Sequence, residues 1–276
     1  MDSVLTTSEM VMLAGGLVGA SVIAGILAGL LGVGGGIVIV PALFWLFTII
    51  KFNPQIAMHM AVASSLATII TTSISSTRAH QRRGAVDFDL LRRWAPAMAL
   101  GALAGGVGAR FIDPDGLKAI FGIIALVVSV NLATPKTLVF AEALPGSKIV
   151  QNGIAAIIGV FSSLMGIGGG TLSVPTLAGF SYPIHRAVGT ASAFGLIISI
   201  PAVIGFILSG WGVPGRPPFS LGYVNLIAVA IILPFTTYFA PMGARLAHRL
   251  DPVWVKRAFA FFLTITALRM LSAAFG

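Results

Sequence analysis

Cysteine is absent from this 276-residue chain, which removes disulfides and thiolate metal sites. Charge is nearly as scarce: 9% of residues are Asp, Glu, Lys or Arg, against 57% hydrophobic. A soluble domain carries about a quarter charged residues, so the balance describes an all-α polytopic membrane protein. Spans of ~20 residues with short loops give eight to ten segments and leave no room for a separate soluble domain. The opening stretch MDSVLTTSEM holds Asp2 and Glu9 but no Lys or Arg. It lacks the basic start of a signal peptide, so the first apolar run is expected to remain in the mature protein. Acids are the scarcer charge, eight in all: Asp2, Glu9, Asp87, Asp89, Asp113, Asp115, Glu142 and Asp251. Each is expected in a tail or a loop. The intramembrane carboxylate relay common in proton pumps is therefore missing, as is the usual anchor for a cationic substrate, and an anion is the expected cargo. Gly-x-Ser-x-Gly, His-Glu-x-x-His and a paired acid are also lacking. No enzyme, cofactor, metal centre or nucleic-acid partner is expected.

Glycine is what the chain has, and it is arranged. Residues 30–43 read LLGVGGGIVIVPAL and residues 164–177 read LMGIGGGTLSVPTL. At an offset of 134 these share Leu30/Leu164, Gly32/Gly166, Gly34/Gly168, Gly35/Gly169, Gly36/Gly170, Val40/Val174, Pro41/Pro175 and Leu43/Leu177. Packing glycines usually sit four apart. Three in a row after a fourth instead interrupt a helix and bare its backbone. Apolar runs fall at roughly 10–31, 36–50, 60–77, 93–111 and 117–135, and again at 149–165, 170–182, 187–210, 221–247 and 254–274. His59-Met60-Ala61-Val62 resembles His185-Arg186-Ala187-Val188, and Gly108-Ala109-Arg110 matches Gly243-Ala244-Arg245. The chain thus reads as two repeats of five segments, 1–140 and 141–276, each opening with a glycine-broken pair.

Basic residues orient the repeats, because cytoplasmic loops carry the Lys/Arg excess. If each broken pair enters and returns, the second repeat is inverted. With the Arg78–Arg93 loop inside, twelve Lys and Arg fall inside, among them Lys136, Arg186, Arg245 and Arg249. Five fall outside: Lys51, Arg110, Lys118, Arg216 and Arg269. A single broken span per pair makes the repeats parallel and divides the charges nine to eight. The inverted arrangement is therefore expected, in a bacterial inner membrane with both termini outside.

In inverted-repeat carriers, helix N-termini at discontinuous segments face an anionic substrate near mid-bilayer. Free N–H groups and the positive end of the helix dipole supply the attraction. Here those helices are expected to begin near Gly36 and Gly170, placing Gly34, Gly35, Gly36, Gly168, Gly169 and Gly170 at the ligand. Thr171 and Ser173 add hydroxyls to the second break only. Ser64, Ser65, Thr190 and Ser192 on the following segments are further candidate ligands. His59 and His185 are candidate gates or proton relays. Arg110 and Arg245 either attract anions at the two mouths or anchor helix ends at the interface. Gly25-x-x-x-Gly29 and Gly101-x-x-x-Gly105 make helix contacts, either within the chain or across a homodimer.

The twin glycine–proline signatures at Gly32–Pro41 and Gly166–Pro175, with the Ala-Val-Gly-Thr run at Ala187–Thr190, resemble the TauE/SafE sulfite exporter family, also called the toluene-sulfonate uptake permease family. The resemblance covers both halves. It implies secondary transport of sulfite, organosulfonates or related sulfur anions, with the glycine segments and adjoining Ser/Thr binding substrate. The basic inner mouth and the membrane potential favour export. An alternative is a copper or nickel permease using the soft-ligand triplet Met58-His59-Met60.

Overall fold

A computed structural model describes residues 7–31, 34–134, 139, 141–246 and 252–276. Asp2, Gly32, Lys136, Arg249 and Asp251, used above, lie outside the described residues. The described chain is mostly helical: α1 (Thr7–Leu31), α2 (Gly36–Ile49), α3 (Pro54–Gln81), α4 (Phe88–Gly108), α5 (Pro114–Ala133), α6 (Lys148–Met165), α7 (Gly170–Gly179), α8 (Ile184–Ser209), α9 (Leu226–Leu246) and α10 (Pro252–Phe275). Five of them (α3, α5, α6, α8 and α9) are long and apolar enough to cross a membrane. Helices α2 and α7 have 14 and 10 residues, so at 1.5 Å per residue they reach about 21 and 15 Å. Both fall short of the ~30 Å hydrocarbon core.

Helices begin earlier than hydropathy suggests, because capped first turns are polar. Asn53, Asp87 and Asp113 cap α3, α4 and α5, with Pro54 and Pro114 at the first helical positions of α3 and α5. These positions suit a residue without an N–H. Asp89 and Asp115 lie in first turns rather than loops, and Glu9 is in α1. Asp89 and Asp115 are thus at helix N-termini, where the dipole favours a carboxylate. Residues 221–225, expected to open a span, instead belong to a two-stranded hairpin pairing Ser220 with Asn225 and Leu221 with Val224. Its turn uses Gly222 at φ 56°.

Helices α3 and α8 form the central spine. They run antiparallel: Ser76 meets Ser192 at 3.2 Å, Ser73 lies against Gly195, and His59 near the start of α3 stacks on Tyr223 just beyond the end of α8. Around the spine, α1 packs on α9 and α6 packs on α4. Small residues set these contacts. A methyl on Gly25 or Gly29 would fall 2.9 Å from the Thr236 carbonyl oxygen or 1.8 Å from that of Ala240. Methyls on Gly101 and Gly159 would fall 2.2 Å from the Ala156 and Met98 carbonyls. Lipid supplies no hydrophobic drive between helices, so such close approach supplies the cohesion. Both glycine pairs are thus used within the chain.

Candidate functional site

Helices α2 and α7 begin at Gly36 and Gly170, immediately after the glycine triplets. The two breaks touch. A methyl built on Gly34 would lie 2.9 Å from Gly168 Cα, and one on Gly36 would lie 2.2 Å from the Gly166 carbonyl and 2.9 Å from Ile167 Cα. The meeting point lies against the middle of the spine, with Ile69 of α3 beside Gly34, and Phe194 and Gly195 of α8 beside Gly169. Residues 34–41 and 162–171 are all buried.

Identical triplets adopt different backbones. Gly34 and Gly35 are left-handed, with φ 74° and 78°, and Gly35 caps α2. In the second break Gly169 caps α7 at φ −56°, and the left-handed residue is Gly166 at φ 68°, ending α6. The Ser162 carbonyl receives the N–H of Gly166 and of Ile167, closing that helix as a left-handed cap does. Ser65 Oγ donates to the Gly166 carbonyl at 2.7 Å. The bond ladder of α2 starts with Val38 and Ile39 N–H on the Gly35 carbonyl, and Ser173 N–H reaches the Gly169 carbonyl at 2.9 Å. Amides just before these bonds, at Gly36, Ile37, Gly170 and Thr171, are the helix-end donors.

Thr171 is 2% exposed and Ser173 fully buried, yet neither hydroxyl has a partner among the described residues. Buried hydroxyls are nearly always paired, so these two stand out beside the second break. The Ser73, Thr77, Ser162 and Ser220 hydroxyls share that state, and the sequence alone singles out none of them. Ser73 sits against Gly195, whose N–H would lie 3.1 Å from a methyl on Gly169.

Ser64 and Thr190, in contrast, hold helices. Ser64 Oγ accepts the N–H of Asn225 at 2.9 Å, and Asn225 Oδ1 accepts from Ala228 at the start of α9. Thr190 Oγ1 accepts the N–H of Asp87 at 2.9 Å, and Asp87 Oδ1 accepts from Asp89 and Leu90 at the start of α4. Each spine helix thus pins the capping residue of a helix in the other half. Ser192 is occupied with Ser76 and the Val188 carbonyl.

The two pins differ in chemistry. Asp87 also accepts from the Tyr182 hydroxyl and pairs with Arg186 Nη2 at 3.1 Å. Burial alone would raise its carboxyl pKa, but the Leu90 amide, Tyr182 hydroxyl, Arg186 guanidinium and Asp89 amide outweigh burial and hold it below the ordinary carboxylate range. Burial, then the bond to Asp87 and its charge, push Tyr182 up to about 12, so it stays a donor at physiological pH. At the other pin, His59 is buried and its Nε2 lies 3.0 Å from both the Ala109 and Ile112 carbonyls. Two acceptors require the proton on Nε2, and Nδ1 has no partner among the described residues. His185, its sequence counterpart, is exposed in the first turn of α8. The histidines are therefore not equivalent in environment. Arg110 and Arg245 are exposed at helix ends, Arg110 lying over the Phe111 ring.

Met58, His59 and Met60 are not brought together. Successive helical residues diverge by about 100°, both methionines are fully buried in the core, and His59 is committed to carbonyls. Among the described residues no group of three His, Asp or Glu is placed to hold a metal.

Residues 17–270 match the family model described as sulfite exporter TauE/SafE. The chain is 36% identical over 256 residues to a probable membrane transporter protein of Haemophilus influenzae, covering 92% of this chain and 96% of the relative. It is 26% identical over 259 residues to a probable membrane transporter protein of Bacillus subtilis, covering 85% and 89%. Another such protein, from Methanocaldococcus jannaschii, is 26% identical over 259 residues, covering 90% and 92%. No solved structure matches the chain. A helical membrane protein with these matches over nearly its whole length is a membrane transporter, and it belongs to the sulfite exporter TauE/SafE family.

Proposed function

We infer that the protein exports sulfite or a small organosulfonate across the bacterial inner membrane by alternating access between two inverted halves, 1–140 and 141–276. The observation carrying this reading is the contact of the two glycine breaks, Gly34 on Gly168 and Gly36 on Gly166, at the starts of α2 and α7. Two helix N-termini meeting in a buried interior favour an anion without lysine or arginine. The unpartnered Thr171 and Ser173 hydroxyls add donors that suit sulfonate oxygens. Inversion is supported by the antiparallel course of α3 and α8, whose sequences correspond, and by the reciprocal packing of α1 on α9 and α6 on α4. Both termini then lie outside.

The breaks are in van der Waals contact, so an anion enters only when they part. Each pin closes one mouth: Thr190–Asp87–Arg186 with Tyr182 at the cytoplasmic end, Ser64–Asn225 beside His59 and Tyr223 at the other. Releasing one while the other holds is alternating access in its simplest form. Membrane potential, negative inside, drives anion exit by about 2.3 kcal/mol per charge per 100 mV, so export needs no acidic relay. The test is sulfite efflux from proteoliposomes under an imposed inside-negative potential. Protein-dependent, voltage-accelerated efflux of sulfite, inhibited by organosulfonates and indifferent to copper and nickel, is expected. Efflux no faster than from protein-free vesicles rejects the substrate class.

A further inference from the structure

The exposed side of α9 carries a groove of about 610 Å3 whose walls include Leu233, Pro234, Tyr238, Pro241, Met242 and Arg245. These residues recur at helical spacing and form one stripe. From Leu233 to Arg245 it runs about 18 Å at 1.5 Å per residue, close to the depth of one leaflet in a core of ~30 Å. Pro241 has no N–H for the Thr237 carbonyl four residues earlier. Ser75 Oγ of α3 donates to that carbonyl at 3.0 Å, holding the proline segment from behind. Apart from Thr237 and the Tyr238 hydroxyl the stripe is apolar until its end, where charge collects. Arg245 is exposed, and Arg83 Nη1 donates to the neighbouring Ala244 carbonyl at 2.6 Å, with its other N–H groups remaining as donors. Arg78 and Arg82, exposed, belong to the same end of α3.

The geometry points to a binding site for one anionic phospholipid, its acyl chain along Leu233, Pro234, Pro241 and Met242 and its phosphate between Arg245 and Arg83. Depth and charge select this occupant. An apolar stripe one leaflet long, ending in guanidinium groups, complements a single acyl chain beneath an anionic headgroup. A second copy related by a two-fold along the membrane normal would bring the same arginine ends together, like charge facing like. The site does not depend on which anion the carrier moves.

The experiment is native mass spectrometry of the full chain in detergent with equal dioleoyl phosphatidylglycerol and dioleoyl phosphatidylcholine. Wild type should retain the anionic lipid preferentially, and Arg245→Gln should lower that preference about fivefold, the effect of one surface arginine on an anionic lipid. Met242→Trp, filling the groove, should reduce retention of the tightly held lipid altogether. Equal retention of phosphatidylglycerol by wild type and Arg245→Gln overturns the proposal. So does a wild-type dimer that Met242→Trp converts to a monomer, since the groove then belongs to a second copy.

Discussion

Replacing Ser173 by alanine should move stability and ligand response in opposite directions. Its hydroxyl is fully buried and unpartnered, a condition that costs about 1–3 kcal/mol through lost solvation. Removing one oxygen opens little space, and Ser173 N–H keeps its bond to the Gly169 carbonyl. The unliganded protein should therefore be more stable by up to that amount, raising the melting temperature by roughly 2–4 °C per kcal/mol for a chain of this size class. A hydrogen bond to an anion is worth about 1.5–3 kcal/mol, so sulfite should bind roughly ten- to a hundredfold more weakly. Thermal unfolding in detergent with and without sulfite reads both quantities, and Thr171→Val should behave alike. A less stable unliganded Ser173→Ala would mean that the hydroxyl has a structural partner. An unchanged sulfite-induced shift would mean that Ser173 does not touch the ligand. Either result refutes the reasoning.

Other consequences follow from the pins and the breaks. Because the chain has no cysteine, single reporter cysteines are clean. Arg186→Gln should increase labelling from the cytoplasmic mouth, and Ser64→Ala should increase it from the opposite mouth; identical labelling of the two variants argues against paired closures. Asp87 has a folded pKa below its unfolded value, so its contribution is complete above the unfolded carboxylate value of about 3.9 and is lost as pH falls through the folded value. Melting temperature should therefore drop below about pH 4, and Asp87→Asn should flatten that acid limb; equal slopes contradict the assignment. Gly36→Ala places a methyl 2.2 Å from the Gly166 carbonyl, and the forced separation should cost about 1–3 kcal/mol. Wild-type stability in Gly36→Ala would contradict the contact between breaks.

Much of the architecture is legible in the residue order. Gly36 and Gly170 mark helix starts because three successive glycines forfeit helix propensity, and the ten apolar runs each became a helix apart from their ends and the 221–225 hairpin. The site is only half legible. Thr171 and Ser173 follow from the motif, but Ser64 and Thr190 pin residues 161 and 103 positions away. No local spacing records such pairings. Asp87 reads as one more loop acid until Tyr182 and Arg186 fold against it. The equal triplets also hide an inequality, since Gly35 is left-handed and Gly169 right-handed. Their neighbours differ as well, Ala24 behind one and Phe194 behind the other.

Selenite is a close congener of sulfite whose selenium scatters anomalously, which makes its position directly visible. Crystals of the full chain grown with selenite should give one anomalous peak between the starts of α2 and α7, within hydrogen-bonding reach of the Gly36 and Gly170 amides and the Thr171 hydroxyl. A peak confined to the arginines at the helix ends, with the glycine breaks still in contact, would contradict the account.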